Sequence, residues 1–141
     1  MGKYLEDETM KNRKVIFSWL WVFVMFNYTY ADILTLMDPS VLKELITGSA
    51  GGLQMTPEFL FMGAILMEIP IAMIILSRIL KYKANRIANI VAGVIKTLAV
   101  FASMFVGTPT SYYLFFGVIE IATTIFIVWY AWTWTKQTER R

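Results

Sequence analysis

Four apolar stretches, each of about twenty residues or more and each bounded by polar blocks, dominate this 141-residue chain. As a helix rising about 1.5 Å per residue, any one of them crosses a hydrocarbon core about 30 Å thick. They read as 15–37, 57–80, 86–106 and 109–134. The chain is 57% apolar and only 16% charged, against about 45–50% apolar in an average soluble domain, and most of its charges gather between the stretches. The pattern predicts an all-α integral membrane four-helix bundle at 15–134, preceded by a polar segment, 1–14, and followed by a tail, 135–141.

The chain has no His and no Cys. Imidazole-ligated haem, thiolate metal sites, disulfides and a histidine general base are therefore excluded, and no metal or cofactor is expected. The formal net charge is +3, but the basic residues flank the apolar runs and form no aromatic-interleaved patch, so no nucleic-acid partner is expected. The first apolar run lacks an Ala-x-Ala cleavage pattern and exceeds the length of a signal-peptide core, so it is expected to stay in the mature protein. Glu6 stands where a myristoylation motif needs Ser or Thr, so Gly2 is expected to be unmodified.

Helix starts are marked by Thr56-Pro57-Glu58 and by Thr108-Pro109, each offering a hydroxyl cap followed by proline at the first helical position. In the first outer loop, Asp38-Pro39-Ser40 opens a short surface helix over 41–46, and Ser49-Ala50-Gly51-Gly52 reads as a flexible link. Lys3, Lys11, Arg13, Lys14, Arg78, Lys81, Lys83, Arg86, Lys136, Arg140 and Arg141 fall on one side of the predicted topology and Lys43 alone on the other. By the positive-inside rule both termini are cytoplasmic, and so strong a bias argues against dual topology. Trp19, Trp21, Trp129, Trp132 and Trp134 cluster toward the same side and read as one interfacial belt.

Charged residues within a span cost about 2.5–3.5 kcal/mol each at its centre and usually face the bundle interior. The spans hold four: Asp32, Glu68, Lys96 and Glu120. Counted from the outer end of each span, Asn27, Glu68, Lys96 and Glu120 lie about 15–16 Å deep, and Asp32 about 7–8 Å deep with Tyr28 one turn below it. Helical stepping puts Asn89, Gly93, Lys96, Val100 and Ser103 on one face of span three, and Tyr113, Gly117, Glu120 and Thr124 on one face of span four. On span two, Ala64, Glu68 and Ala72 share a face, and Pro70 frees a carbonyl near Leu66 that needs another donor.

One reading of this layer is structural: Lys96 pairs with Glu120 or Glu68 and fixes the bundle. It leaves carboxyls over, since three face one ammonium, so at least one is expected to keep its proton or to be balanced by a cation. An acid beside a carboxylate also suits general acid–base chemistry, such as shifting a lipid double bond. No motif fixes a substrate pose, however, and no catalytic residue is assigned. The candidate ligand- or proton-binding set is Asp32, Glu68, Lys96, Glu120, Asn27, Tyr28 and Tyr113.

Tyr30-Ala31-Asp32 with Leu36-Met37-Asp38-Pro39, Met67-Glu68-Ile69-Pro70, Gly107-Thr108-Pro109 and Ile119-Glu120-Ile121-Ala122 resemble an uncharacterised bacterial family of small four-pass membrane proteins over nearly the whole chain. More distantly, the layout is similar to DoxX-like bundles and to the sterol-isomerase and sigma-2-receptor group. That resemblance implies an internal cavity for amphiphilic amines or sterols, with Asp32 and Glu68 matching the cavity acids. The chain departs from the isomerases in lacking histidine and in adding Lys96. The leading expectation is a multi-pass protein of the bacterial inner membrane that binds a small lipid-like or cationic amphiphilic ligand. A proton-coupled carrier and a structural or assembly subunit are the alternatives. Expected partners are the bilayer, that ligand and a second copy of the chain.

Overall fold

The computed structural model describes residues 2–135, with side chains from Glu8 onward. Lys136, Arg140 and Arg141 of the expected tail, and the side chain of Lys3, lie outside the described residues. The elements are α1 (Gly2–Met37), α2 (Pro39–Ile46), β1 (Ser49–Ala50), β2 (Leu53–Gln54), α3 (Pro57–Ile79), α4 (Tyr82–Ser103) and α5 (Ser111–Trp132). Helices α3, α4 and α5 and the segment Glu8–Met37 of α1 are long and apolar enough to cross a membrane. Each long helix packs against two neighbours, so the bundle closes as a ring in the order α1, α3, α4, α5. With four alternating spans, the described chain starts and finishes at one end of the bundle, here called the terminal end.

Local chemistry explains most boundaries. The Thr56 hydroxyl accepts from the Phe59 amide at 3.2 Å, and Pro57 occupies the first turn, as expected. The cap of α5 is Thr110 rather than Thr108: its hydroxyl accepts from the Tyr113 amide, and the helix starts at Ser111, beyond Pro109. Helix α2 begins two residues before the expected segment because the Asp38 carboxylate accepts from both the Ser40 amide, at 2.9 Å, and the Ser40 hydroxyl, at 2.6 Å. Helix α4 starts at Tyr82, four residues ahead of the apolar run, which brings Asn85 onto its inner face.

The segment read as a flexible link is a two-residue hairpin instead. Ser49 pairs with Gln54 and Ala50 with Leu53, across Gly51 and Gly52 at φ +54° and +82°. A turn with both central residues at positive φ matches the twist of the flanking strands, and glycine adopts it without strain. Gly51 also touches Gly107 of the α4–α5 connection so closely that a Cβ on Gly107 would meet the Gly51 Cα at 2.8 Å. The two far-end loops are thereby held together.

At the terminal end three outside side chains donate to the last turn of α5 and the residues just after it. Arg13 Nη1 donates to the Tyr130 carbonyl, Arg86 Nε and Nη2 to those of Ala131 and Trp132, and the Tyr82 hydroxyl to that of Trp134. These carbonyls belong to or follow the final turn, where helical donors run out. The tryptophans do not form a single belt. Trp19, Trp129 and Trp132 are exposed, but Trp21 and Trp134 are fully buried, the latter against Phe17 and Tyr82 with ring centroids 5.6 and 5.0 Å away.

Candidate functional site

Around Trp21 lies a buried polar cluster. Trp21 Nε1 donates to Asn89 Oδ1 at 2.8 Å, Asn89 Nδ2 to Asn85 Oδ1 at 2.6 Å, and Asn85 Nδ2 to the Ser77 carbonyl at 2.6 Å. The last bond satisfies a carbonyl in the final turn of α3. All four residues are buried and their polar groups bonded, which makes the cluster a structural lock of α1, α3 and α4. Toward the far end it is followed by an apolar plug that includes Val24, Met73, Ala92 and Ile127, all buried.

Beyond that plug is a cavity of about 130 Å³ lined by Tyr28, Ala31, Asp32, Leu66, Met67, Lys96, Ala99, Val100, Ser103, Tyr113 and Glu120. All four long helices contribute. Asp32 is exposed and five residues from the end of α1, whereas Lys96 and Glu120 are buried and lie deeper, about 10 and 14 Å from the far ends of α4 and α5. The acid thus stands at the mouth and the lysine and second acid at the floor.

Lys96 is 1% exposed, yet it forms no ion pair among the described residues. Its ammonium sits 4.3 Å above the Tyr28 ring, 3.5 Å from the Leu66 carbonyl and 3.7 Å from Met67 Sδ. The carbonyl is the one that Pro70 deprives of its helical donor, as the sequence predicted, and the π face adds the attraction of its quadrupole for a cation. The Lys96–glutamate pair, one of the two readings of this layer, is not formed. Glu120 Oε1 and the Tyr28 hydroxyl are instead buried with no hydrogen-bond partner among the described residues. Such groups cost about 1–3 kcal/mol each when left unsatisfied, so two of them in the residues around one cavity mark it as a place for a polar guest. The Tyr113 hydroxyl is already committed, donating to Ser103 Oγ at 2.7 Å.

Of the seven residues singled out by sequence, Asp32, Lys96, Glu120, Tyr28 and Tyr113 line the cavity. Asn27 does not: it is buried one residue away on α1 and its Nδ2 returns to the Phe23 carbonyl at 2.8 Å. Glu68 has the expected depth but the wrong face, exposed on the outside of α3. Successive helical residues are about 100° apart, and the inward stripe of α3 runs through Met67, Pro70, Met73 and Ser77. Met67, Ala31 and Ala99 were not foreseen, since nothing about a small or thioether side chain marks it as cavity-facing on a helix apolar all round.

Gly93 and Gly117 serve close packing of α4 on α5. A Cβ on Gly93 would lie 2.6 Å from Val128 Cγ2 and 3.3 Å from the Thr124 carbonyl, and one on Gly117 would meet Met104 Cε. One turn from Gly93, the Thr97 hydroxyl bonds to the Thr124 hydroxyl at 2.8 Å and joins the same two helices. No group of three or more metal-ligating side chains exists among the described residues.

Fold and site together define a four-pass helical membrane protein with a polar cavity set among apolar walls. Residues 4–140 match a family of unknown function (DUF6326), and the chain belongs to that family. Searches of curated proteins and of solved structures find no match. The DoxX-like resemblance therefore rests on architecture alone.

Proposed function

We propose that this protein binds a small amphiphile with a cationic head group, held in the cavity between Asp32 at the mouth and Glu120 at the floor. The observation that carries the reading is the unpartnered Glu120 Oε1, buried beside an equally unpartnered Tyr28 hydroxyl. Two carboxyls face one ammonium there, so a positively charged donor is the guest that balances both charge and hydrogen bonding. Size narrows the class. An apolar cavity of about 150 Å³ holds one benzene, so about 130 Å³ takes an ammonium group and a short length of chain, with the rest leaving through the mouth. A sterol ring system exceeds it. Ala31, Leu66, Met67, Ala99 and Val100 supply apolar wall for the first methylenes.

The buried plug of Val24, Met73, Ala92 and Ile127 separates the cavity from the terminal end. That arrangement favours binding over carriage, because a proton-coupled carrier must open a route through this layer. On the lysine and arginine bias we place both termini in the cytoplasm and the cavity mouth toward the outer leaflet, in the inner membrane of a bacterium.

Native mass spectrometry of the full chain in nanodiscs, titrated with dodecylamine or dodecanol, tests the reading. Dodecylamine is expected to bind, dodecanol to bind at least about tenfold more weakly, and Glu120→Gln to weaken the amine by about tenfold or more, the value of a charge-assisted hydrogen bond. Equal binding of amine and alcohol, or unchanged amine binding by Glu120→Gln, refutes it. Amine-independent proton uptake that is lost in the same variant supports the carrier instead.

A further inference from the structure

Glu68 lies eleven residues from Pro57 and eleven from Ile79, at the centre of α3. It is exposed, and the neighbours sharing its outward face, Phe61, Ala64, Ile65, Ile71 and Ile75, are exposed and apolar. It has no hydrogen bond or ion pair among the described residues and does not line the cavity. Either end of the helix is about 16 Å away, far beyond the reach of a glutamate side chain. In a bilayer this carboxyl meets hydrocarbon, where a charged group at the helix centre is unfavourable and faces a protein partner or water instead.

We propose that Glu68 is the centre of a two-fold contact between two copies of this chain, α3 against α3, in which the two carboxyl groups share a proton. The occupant follows from chemistry and symmetry. An isologous contact places a residue on the axis opposite itself, and a carboxyl pairs with its own copy because the protonated acid donates to the other group's oxygen. A head-to-tail ion pair would need a cation exposed at the same depth. None exists among the described residues, since Lys96, the charged group of opposite sign at that level, is buried inside the bundle. Ala64 and Ala72, one turn to either side of Glu68, keep the face low enough for two backbones to approach. This inference is independent of the ligand reading, because Glu68 and the cavity lie on different faces of α3.

The chain contains no cysteine, so single reporters have no background. Ala64→Cys on the proposed face and Val118→Cys on the exposed face of α5 both lie seven residues from the far end of their helix. In oxidised proteoliposomes at low protein-to-lipid ratio, Ala64→Cys is expected to give a disulfide-linked dimer and Val118→Cys only the collisional level. Adding Glu68→Leu to Ala64→Cys should reduce its product to that level. Glu68→Gln, whose amide can also pair with itself, should retain the product. Energy transfer between labelled copies diluted in lipid should show dissociation weakened by Glu68→Leu, with Kd raised about tenfold or more. Circular dichroism confirms that each variant is folded. Equal cross-linking at both reporter positions, cross-linking unchanged by Glu68→Leu, or a wild-type chain monomeric at all dilutions overturns the proposal; the last would assign the face to a different protein.

Discussion

The contact between Lys96 and the carbonyl freed by Pro70 yields a double-mutant test. Pro70 lacks an amide hydrogen, so the Leu66 oxygen four residues earlier has no helical donor, and Lys96 Nζ stands 3.5 Å from it. Lys96→Met removes that donor and the cation above the Tyr28 ring. Pro70→Ala restores the donor from within α3. In the Pro70→Ala background, Lys96→Met therefore loses the π contact and the cavity charge as before, but no longer orphans the carbonyl. A well-formed bond from a charged donor contributes about 1.5–3 kcal/mol. This one is long, and the expected coupling is about 1 kcal/mol, with Lys96→Met less damaging when residue 70 is alanine. The four proteins can be unfolded by sodium dodecyl sulfate in mixed micelles, with tryptophan fluorescence as the readout. Costs that add within about 0.5 kcal/mol, or a coupling of opposite sign, would show that Lys96 does not serve this carbonyl.

Two further outcomes are expected. Gly93→Ala forces a methyl against Val128 Cγ2 and the Thr124 carbonyl, an overpacking cost of about 1–3 kcal/mol only partly offset by about 1 kcal/mol of helix propensity. Gly117→Ala meets the flexible end of Met104 and should be near neutral in the same unfolding assay. Equal losses would contradict the close approach of α4 and α5. In the far-end loop, hydrogen bonds from the Ser40 hydroxyl and amide hold the Asp38 carboxyl below its usual range. Its folded value lies below the unfolded one, so its support of α2 is complete above about pH 3.9 and is lost as pH falls through the lower folded value. The Ser40 amide resonance should titrate with that lowered midpoint; a midpoint at or above the free-aspartate value would refute the cap.

Particular residues show where sequence reasoning reached and where it stopped. The Thr56 cap and the freed Leu66 carbonyl were legible because both follow from chemistry within a turn or two of one helix. Depth was legible in part: rise per residue is constant, and Glu68 and Glu120 lie about 16 and 14 Å from the far ends of their helices, but Lys96 lies only about 10 Å from the end of α4, which stops at Ser103, three residues before the expected boundary. Facing was legible on α4 and α5, whose polar and small residues repeat at three and four, and on α1 for Tyr28 and Asp32, one turn apart. On α3 the rule that membrane carboxyls point inward misdirected the reading: the inner face consists of Met67, Pro70, Met73 and Ser77, and the acid faces out. Trp21 and Trp134 resembled their exposed neighbours until the bundle closed over them.

By itself the sequence determined that this chain is a helical membrane protein with four spans, because span length, apolar composition and capping act locally and a bilayer admits few backbone solutions. It also narrowed the chemistry, by the absence of His and Cys and by the small number of charges within the spans. Only the tertiary structure decided which of those charges meet. The rotation of each helix about its axis is set by packing against its neighbours, and a turn of about 100° separates a cavity wall from the lipid face. That rotation places Asp32, Lys96 and Glu120 around one cavity, leaves Glu120 and Tyr28 each with an unpartnered oxygen, and carries Glu68 to the outside.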